Sequence, residues 1–304
     1  SEVLQEQLDR VEDLEADLET ARIRKESPLA LAQRELDLAV ARLAVREIEN
    51  AEIIKASELY LAFVVAEREH GTAAASLETA RTKYAIVENR YEVDEDTEGE
   101  LLSARISLLT AQKSLASAEY KRTQAINTVI RSISIDQLSL DPSVMWSDLI
   151  PNPIQFDEAR IRSSNSAYFG ALETLRLRSQ ELELKTGSEA FTIQEIEAAV
   201  DAGDKAESAL AVSEYEISDT SASMAFDLGT YSIDLEIAGI NLEMSQTEYA
   251  SVELQYEFGE VLEFELANSH AALRSSGDQL EALRERLFLL HLEAADFGGD
   301  QLRD

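Results

Sequence analysis

The sequence contains no cysteine, and glycine, proline and aromatic residues are scarce. Without cysteine, neither a disulfide framework nor a cysteine-ligated metal site is available. Only 11 Gly and 4 Pro interrupt 304 residues, so little in the chain breaks helices. No segment approaches the roughly 20 apolar residues that a membrane-spanning helix needs. We therefore expect an all-α protein with no direct bilayer span in this chain.

Basic residues are also few, since 27 Lys and Arg stand against 60 Asp and Glu and give a formal net charge of -33. Nucleic-acid binding requires clustered Lys and Arg, so this class is excluded. Anionic membrane surfaces are disfavoured for the same reason. Self-repulsion at this charge costs stability at low ionic strength. We expect salt or non-specifically held divalent cations, such as calcium, to relieve it, and we expect no cofactor.

An internal repeat organises the chain, because a shift of 165 residues superposes one predicted helical hairpin on another. The residues that match across this shift include Tyr84 with Tyr249, Tyr91 with Tyr256, Glu92 with Glu257, Glu100 with Glu265, Leu101 with Leu266, Leu108 with Leu273 and Leu115 with Leu280. A repeat of this kind is typical of duplicated supersecondary units that stack to bury a shared apolar face.

Apolar spacing predicts the helices of each half. A first helix at 2–25 ends at the break 26–28, and a second runs from Leu29 to about Tyr91, which would extend roughly 95 Å. Its distal part carries a heptad series that includes Phe63, Ala66, Leu77 and Tyr84. Residues 101–125 carry Leu and Ala at the same spacing. The two segments are therefore expected to pack as an antiparallel coiled coil.

The second half repeats this scheme. A helix at 159–185 ends at the break 186–188, and a hairpin then turns near Gly259. Between the halves, Trp146 and three prolines suggest an extended crossover. The predicted divisions are a first helical repeat at 1–133, a crossover linker at 134–156, a second helical repeat at 157–297 and a C-terminal tail at 298–304.

Several motifs resemble the TolC family of outer-membrane efflux proteins. They are the Ala/Leu-rich run 29–43, Tyr60-Leu-Ala-Phe, Arg90-Tyr-Glu-Val before the first turn, and Gln255-Tyr-Glu-Phe-Gly-Glu-Val-Leu-Glu-Phe-Glu-Leu in the second hairpin. The resemblance implies a homotrimer whose long helices form a tunnel across the periplasm. It further implies docking to an inner-membrane pump through a periplasmic adaptor, and a location in the periplasm or the outer-membrane-associated cell envelope.

The sequence departs from that family at two places. The connections 25–29 and 185–191 are too short for the β-strands that the family inserts there, so we expect a TolC-like α-helical tunnel without a β-barrel. At the turns, the family's Val-Gly-Leu becomes Val93-Asp94-Glu95 and Phe258-Gly259-Glu260. Asp94 can still adopt a left-handed turn conformation, because Asp and Asn tolerate it better than most residues.

The hairpin tips are the candidate site for partner docking and for a constriction of the tunnel. Their residues are Asp94, Glu95, Asp96, Thr97, Phe258, Gly259 and Glu260. In a trimer, their carboxylates would form either a cation-attracting ring or a set of solvated acidic turns, and the sequence leaves both open.

No other residues suggest chemistry. His70, His270 and His291 lack metal-ligand spacing, acidic pairs on exposed helices favour solubility over catalysis, and the tyrosines near the tips favour packing. We therefore predict no enzyme activity. The predicted function is a conduit for efflux or type I secretion, with a non-transporting envelope spacer and a monomeric helical interaction module as alternatives.

Overall fold

The computed structural model describes residues 2–133, 157–188 and 190–300, and these residues fold almost entirely into helices. Within this part of the chain there are seven helices and no strand. The helices are α1 (Glu2–Ile23), α2 (Pro28–Glu92), α3 (Glu98–Ile133), α4 (Glu158–Ser164), α5 (Ser166–Thr186), α6 (Ile193–Glu257) and α7 (Glu263–Phe297). The predicted all-α fold is confirmed. The predicted crossover at 134–156 lies outside the described residues.

The helix boundaries recur at the offset that the sequence predicted. Helices α2 and α6 are each 65 residues long, and both their first and their last residues are 165 positions apart. Helices α3 and α7 begin at the same offset, at Glu98 and Glu263. Equivalent positions in the two hairpins can therefore be compared residue by residue.

The predicted breaks before the long helices are present, and side chains at equivalent positions support them. Pro28 is the first residue of α2, where its missing N–H costs no helical hydrogen bond. The Ser27 hydroxyl accepts a hydrogen bond from the Ala30 N–H at 3.3 Å. Before α6, Thr192 accepts from the Glu195 N–H at 3.3 Å while the Glu195 carboxylate accepts from the Thr192 N–H at 2.8 Å. This reciprocal pair is a capping box.

The single helix predicted at 159–185 is wrong, because Asn165 divides this segment into α4 and α5. Asn165 has extended backbone angles, φ -82° and ψ 118°. Its N–H closes α4 by donating to the Ile161 carbonyl at 3.0 Å, and its side chain opens α5 by accepting from the Tyr168 N–H at 2.9 Å. Ser and Asn side chains compete for backbone hydrogen bonds in this way, so the run Ser-Ser-Asn-Ser carried the missed signal.

The described residues form two compact units that cut across the predicted repeats. Unit 1 contains the described residues of 2–54, 157–228 and 290–300, and unit 2 contains those of 55–133 and 229–289. Each unit therefore includes segments of both predicted repeats.

Unit 1 has a small apolar core beside a buried polar cluster. Ile161, Tyr168 and Ile217 are buried together, and Leu172, Leu210 and Phe297 pack against them. The fully buried Asn50 donates to the Asp296 carboxylate at 2.7 Å and to the Asp300 carbonyl at 2.9 Å. Burial raises the pKa of Asp296. These hydrogen bonds fix α2 to the C-terminal end of α7.

A second polar contact in unit 1 fixes α2 to the break between α4 and α5. The Glu47 carboxylate accepts from both the N–H and the hydroxyl of Ser166, at 2.9 and 2.8 Å. Arg46 donates to the Ser164 carbonyl on the other side of the break. Charged side chains of α2 thus satisfy backbone groups that the short helices leave free.

Unit 2 contains the two antiparallel hairpins, with the predicted heptad positions on their inner faces. Phe63, Ala66 and Leu77 of α2 are buried, as are Ala104 and Ala118 of α3. Lys121 on α3 pairs with Glu69 on α2 at 2.8 Å. In the other hairpin, the hydroxyls of Ser245 and Ser276 lie 2.8 Å apart, and the rings of Tyr249 and His270 have centroids 5.4 Å apart. The predicted antiparallel pairing is confirmed in both hairpins.

Candidate functional site

The first hairpin tip, residues 93–97, ends α2 with a left-handed residue. Asp94 has φ 59°. Its N–H donates to the Tyr91 carbonyl at 3.1 Å, and the Glu95 N–H donates to the Arg90 carbonyl at 2.8 Å. This pair of hydrogen bonds is a Schellman motif. Asp94 thus adopts the left-handed conformation that the sequence allows.

The acidic side chains of this tip are partly paired within the tip itself. Arg90 lies 3.2 Å from the carboxylate of Asp96 and 3.7 Å from that of Glu95. Thr97 forms a capping box with Glu100, whose carboxylate accepts from the Thr97 N–H at 2.7 Å and hydroxyl at 2.8 Å. These hydrogen bonds lower the pKa of Glu100, and the one from the Thr97 backbone N–H has the larger effect. Arg90 therefore offsets part of the negative charge predicted for a constriction.

The second hairpin tip, between α6 and α7, is apolar where the first is acidic. Gly259 has φ 74° and takes the place of Asp94 in an equivalent Schellman motif. Phe258, Leu262 and Phe264 are all exposed. Glu260 is the only carboxylate in the turn 258–262, and position 255 is glutamine where the first tip has Arg90. The two tips therefore offer different chemistry to a partner.

Both tips lie at the same end of unit 2. Arg68 on α2 contacts Glu285 on α7. Further along α2, Thr72 contacts Asp278, which lies earlier in α7, so the two helices are antiparallel. From the contact of Arg68 with Glu285, α2 continues for roughly seven helical turns to the first tip, and α7 leads back over about the same length to the second tip. The structure therefore brings the predicted tip residues of both hairpins to one end, while their role in docking or constriction stays a prediction.

A polar contact between α2 and α7, which we call the internal seam, was missed by the sequence analysis. Arg68 donates to both carboxylate oxygens of Glu285, at 2.8 and 3.1 Å, and the Thr72 hydroxyl donates to Asp278 at 3.2 Å. Glu285 is 4% exposed. Its burial raises the pKa of the carboxyl, and Arg68 opposes that rise. The internal seam thus joins the two hairpins by a bidentate ion pair removed from water.

Contacts in unit 2 place α3 and α6 at the two ends of a row of helices. Lys121 and Arg122 join α3 to α2, the internal seam joins α2 to α7, and Ser276 joins α7 to α6. The outer two helices carry the larger share of the exposed large apolar residues of this unit. Those of α3, the α3 stripe, are Leu102, Ile106, Leu109 and Tyr120. On α6, those that share one heptad spacing form the α6 stripe, and they are Ile233, Ile237, Ile240, Met244 and Leu254.

The tyrosines near the tips make equivalent contacts in the two hairpins. Tyr84 donates its hydroxyl hydrogen to Glu88 at 2.9 Å, and Tyr249 donates to Glu253 at 3.0 Å. Each hydrogen bond raises the pKa of its tyrosine. The rings of Tyr84 and Tyr249 lie half-buried on the predicted heptad face, which agrees with the packing role expected from the sequence. Tyr91 and Tyr256, for which the same role was expected, are exposed.

Among the described residues, no three His, Cys, Asp or Glu side chains gather as a metal site. None of the helices in this part of the chain is both long enough and apolar enough to cross a membrane.

Comparison with known proteins identifies the fold. No known protein family matches the sequence, and no curated protein does. Among solved structures, however, the described helices match the helical fold of TolC-like outer-membrane channels.

Three of these similar structures illustrate the extent of the match. A membrane protein from Pseudomonas aeruginosa has a TM-score of 0.70 at 12% identity, over 96% of this chain and 90% of that one. The Campylobacter jejuni CmeC outer membrane channel has a TM-score of 0.64 at 12% identity, over 91% and 68%. The open state of the Neisseria gonorrhoeae MtrE outer membrane channel has a TM-score of 0.61 at 14% identity, over 93% and 73%. At such identities the likeness concerns the fold.

Proposed function

We propose that this chain assembles into a homotrimeric, TolC-like α-helical conduit of the bacterial cell envelope that serves efflux or type I secretion. Its place is at the outer-membrane side of the periplasm. The likeness to outer-membrane channels at the level of fold supports this assignment. The proposed role involves no catalytic step, because it depends only on the assembled helices.

The observation that carries the proposal is the pair of apolar stripes on the two outer helices of unit 2. Ile106 on α3 and Met244 on α6 are each 65% exposed. Large apolar side chains in contiguous stripes normally mark an interaction surface. A chain with two different stripes, at opposite ends of one row of helices, is suited to head-to-tail association that closes into a ring.

The tips supply the surface for the proposed periplasmic adaptor, which would link the conduit to an inner-membrane pump. Exposed Phe258, Leu262 and Phe264 give the second tip an apolar contact area. The first tip presents the carboxylates of Asp94 and Glu95 beside it. An adaptor that fits this end would combine an apolar patch with basic side chains.

A mass measurement on the purified protein tests the assembly. Native mass spectrometry is expected to give three copies of the 33.7 kDa chain. Electron microscopy of that trimer should then reveal a continuous lumen. A trimer with a filled axis would support the envelope spacer instead, and a monomer would contradict both functions.

The stripe itself is tested by adding one charge at two neighbouring positions. Ile240→Glu puts a carboxylate in the centre of the α6 stripe and should shift the native mass from trimer to monomer. Asn241→Glu adds the same charge one position along, on an exposed site outside the stripe, and should leave the trimer intact. Equal dissociation of both variants would show that charge alone, and not the stripe, controls assembly.

A further inference from the structure

We propose that a cavity in unit 1 binds a small zwitterion with an apolar body, of about the size of a dipeptide. This unit 1 cavity lies between α2, the break at Asn165 and the C-terminal end of α7, and its volume is about 560 Å³. Pockets for small molecules normally enclose roughly 300–1,000 Å³, so a ligand of this size fits. All the lining residues belong to unit 1 of a single chain, so the site does not depend on the proposed trimer.

Arg46 brings to the unit 1 cavity a positive charge that forms no ion pair with any described residue. It is half-buried, and the only hydrogen bond that it donates within the described part of the chain goes from Nη2 to the Ser164 carbonyl. Its Nε is buried without a partner. A cation removed from water in this way is stabilised by a carboxylate, and a ligand carboxylate would supply one.

Glu293 and Asp296, on α7, bring negative charge to the same cavity. Glu293 has no hydrogen bond or ion pair among the residues that the structure describes. Asp296 uses one carboxylate oxygen to accept from Asn50 at 2.7 Å, which leaves the other oxygen for a ligand. Burial raises the pKa of Asp296, and a bound ammonium group would oppose that rise. The α7 side of the cavity therefore suits a ligand amine.

The third carboxylate of the cavity, Glu47, is already satisfied. Its two oxygens accept from the N–H and the hydroxyl of Ser166, at 2.9 and 2.8 Å, where the N-terminal end of α5 favours a negative charge. The charges left for a ligand are one arginine and the carboxylates of α7. Ile54, Met224 and Phe297 add apolar lining, which suits a hydrocarbon body between the two ligand charges.

The charged residues of the cavity do not recur in the internal repeat. At the 165-residue offset, each of them corresponds to a residue of different charge: Arg46 to Ala211, Glu47 to Val212, Glu293 to Thr128 and Asp296 to Arg131. Residues that both hairpins need, such as Tyr84 and Tyr249, do recur. The charges of the cavity are therefore not a requirement of the repeated helices, which favours a role in binding.

Calorimetric titration of the full chain with leucyl-leucine tests the proposal. This dipeptide carries one ammonium group, one carboxylate and an apolar body, and it should bind at one site per chain. N-acetyl-leucyl-leucine lacks the ammonium group, and leucyl-leucine amide lacks the carboxylate. Each should bind at least about tenfold more weakly, because a hydrogen-bonded charge is lost.

Two variants assign the binding to the cavity. Glu293→Gln breaks no described contact, and it should weaken leucyl-leucine at least about tenfold while leaving the N-acetyl form unchanged. Arg46→Gln keeps a donor for the Ser164 carbonyl, and it should weaken leucyl-leucine while leaving the amide unchanged. Glu207→Gln removes a carboxylate at an exposed position of unit 1 that does not line the cavity, and it should bind like the unsubstituted protein.

The outcomes separate this site from the proposed function. No binding of leucyl-leucine at millimolar concentration would overturn the site, as would equal binding by Glu293→Gln. Tighter binding of the amide than of the free dipeptide would indicate a site for organic cations and overturn the zwitterion. A trimer by native mass that binds no dipeptide would overturn the site alone, and a monomer that binds it as expected would overturn only the conduit.

Discussion

In the described part of the chain, four helices are followed closely by a residue with positive φ, and two of those four residues are glycine. Asp94 and Lys25 have φ 59° and 55°, while Gly259 and Gly299 have φ 74° and 85°. A left-handed conformation crowds Cβ against the following carbonyl oxygen in any residue but glycine. The helix ends at Asp94 and Lys25 are therefore strained, and Asp94 is strained relative to its equivalent, Gly259.

Relief of this strain should stabilise the first tip. Asp94→Gly removes the Cβ penalty and also a negative charge at the C-terminal end of α2, where the helix dipole disfavours it. We expect the free energy of unfolding to rise by about 1 kcal/mol. Thermal unfolding followed by circular dichroism measures it, and a lower midpoint in Asp94→Gly would contradict the strain. The reverse change at the equivalent position, Gly259→Ala, should lower stability by about 1 kcal/mol.

At the scale of helices, the internal seam depends on a buried ion pair. Removing only one partner of this pair should cost stability, because the other charge would stay buried. Arg68→Ala would leave Glu285 buried without its partner, so stability should fall by about 3 kcal/mol. The residues at the equivalent positions of α6 and α3 are Ile233 and Tyr120. The double variant Arg68→Ile with Glu285→Tyr should therefore recover most of that loss. Denaturant unfolding of the unsubstituted protein and of the two variants measures this.

A matched control distinguishes the buried pair from an ordinary surface pair. Arg81 lies 3.5 Å from Glu78 on the same helix, and both side chains are exposed. Arg81→Ala should therefore change stability by less than about 0.5 kcal/mol. If Arg68→Ala were equally mild, Glu285 would have to reach water or another cation in the variant.

The elements that sequence predicted best are those with the most regular pattern. Phe63, Ala66 and Leu77 lie on the buried face because a heptad stripe has only one way to pack between two antiparallel helices. The internal seam was missed because Arg68 and Glu285 look like solvated residues on an exposed face. Asn165 was missed because the apolar period continues across it, and only its side-chain hydrogen bond reveals the break.

The tips were placed correctly, but their chemistry needed three dimensions. The sequence showed Glu95 and Asp96 as acidic, and the structure shows Arg90 between them. An arginine several residues back along a helix meets a carboxylate only if the turn folds toward it. The Schellman hydrogen bonds at Asp94 produce that turn.

At the scale of the whole molecule, the net charge of -33 should make stability depend on salt. Repulsion among carboxylates is screened over about 10 Å at 0.1 M ionic strength and about 3 Å at 1 M. The unfolding midpoint should therefore rise steadily from 10 mM to 1 M sodium chloride, and millimolar calcium chloride at matched ionic strength should raise it further. Sodium sulfate is unsuited to this test because it stabilises proteins by surface exclusion. A flat midpoint across both series would refute the dependence.

The equal length of α2 and α6 restricts how chains with this architecture can change in size. Deleting one heptad from each arm of a single hairpin would shorten the hairpin by about 10 Å and would keep the heptad faces of its helices aligned. The other turn would then protrude alone, and a partner that binds both turns would lose its contacts with the shortened hairpin. Insertions and deletions are therefore tolerated only as whole heptads at matched places in both hairpins. The two hairpins together thus fix a single distance to which both turns extend.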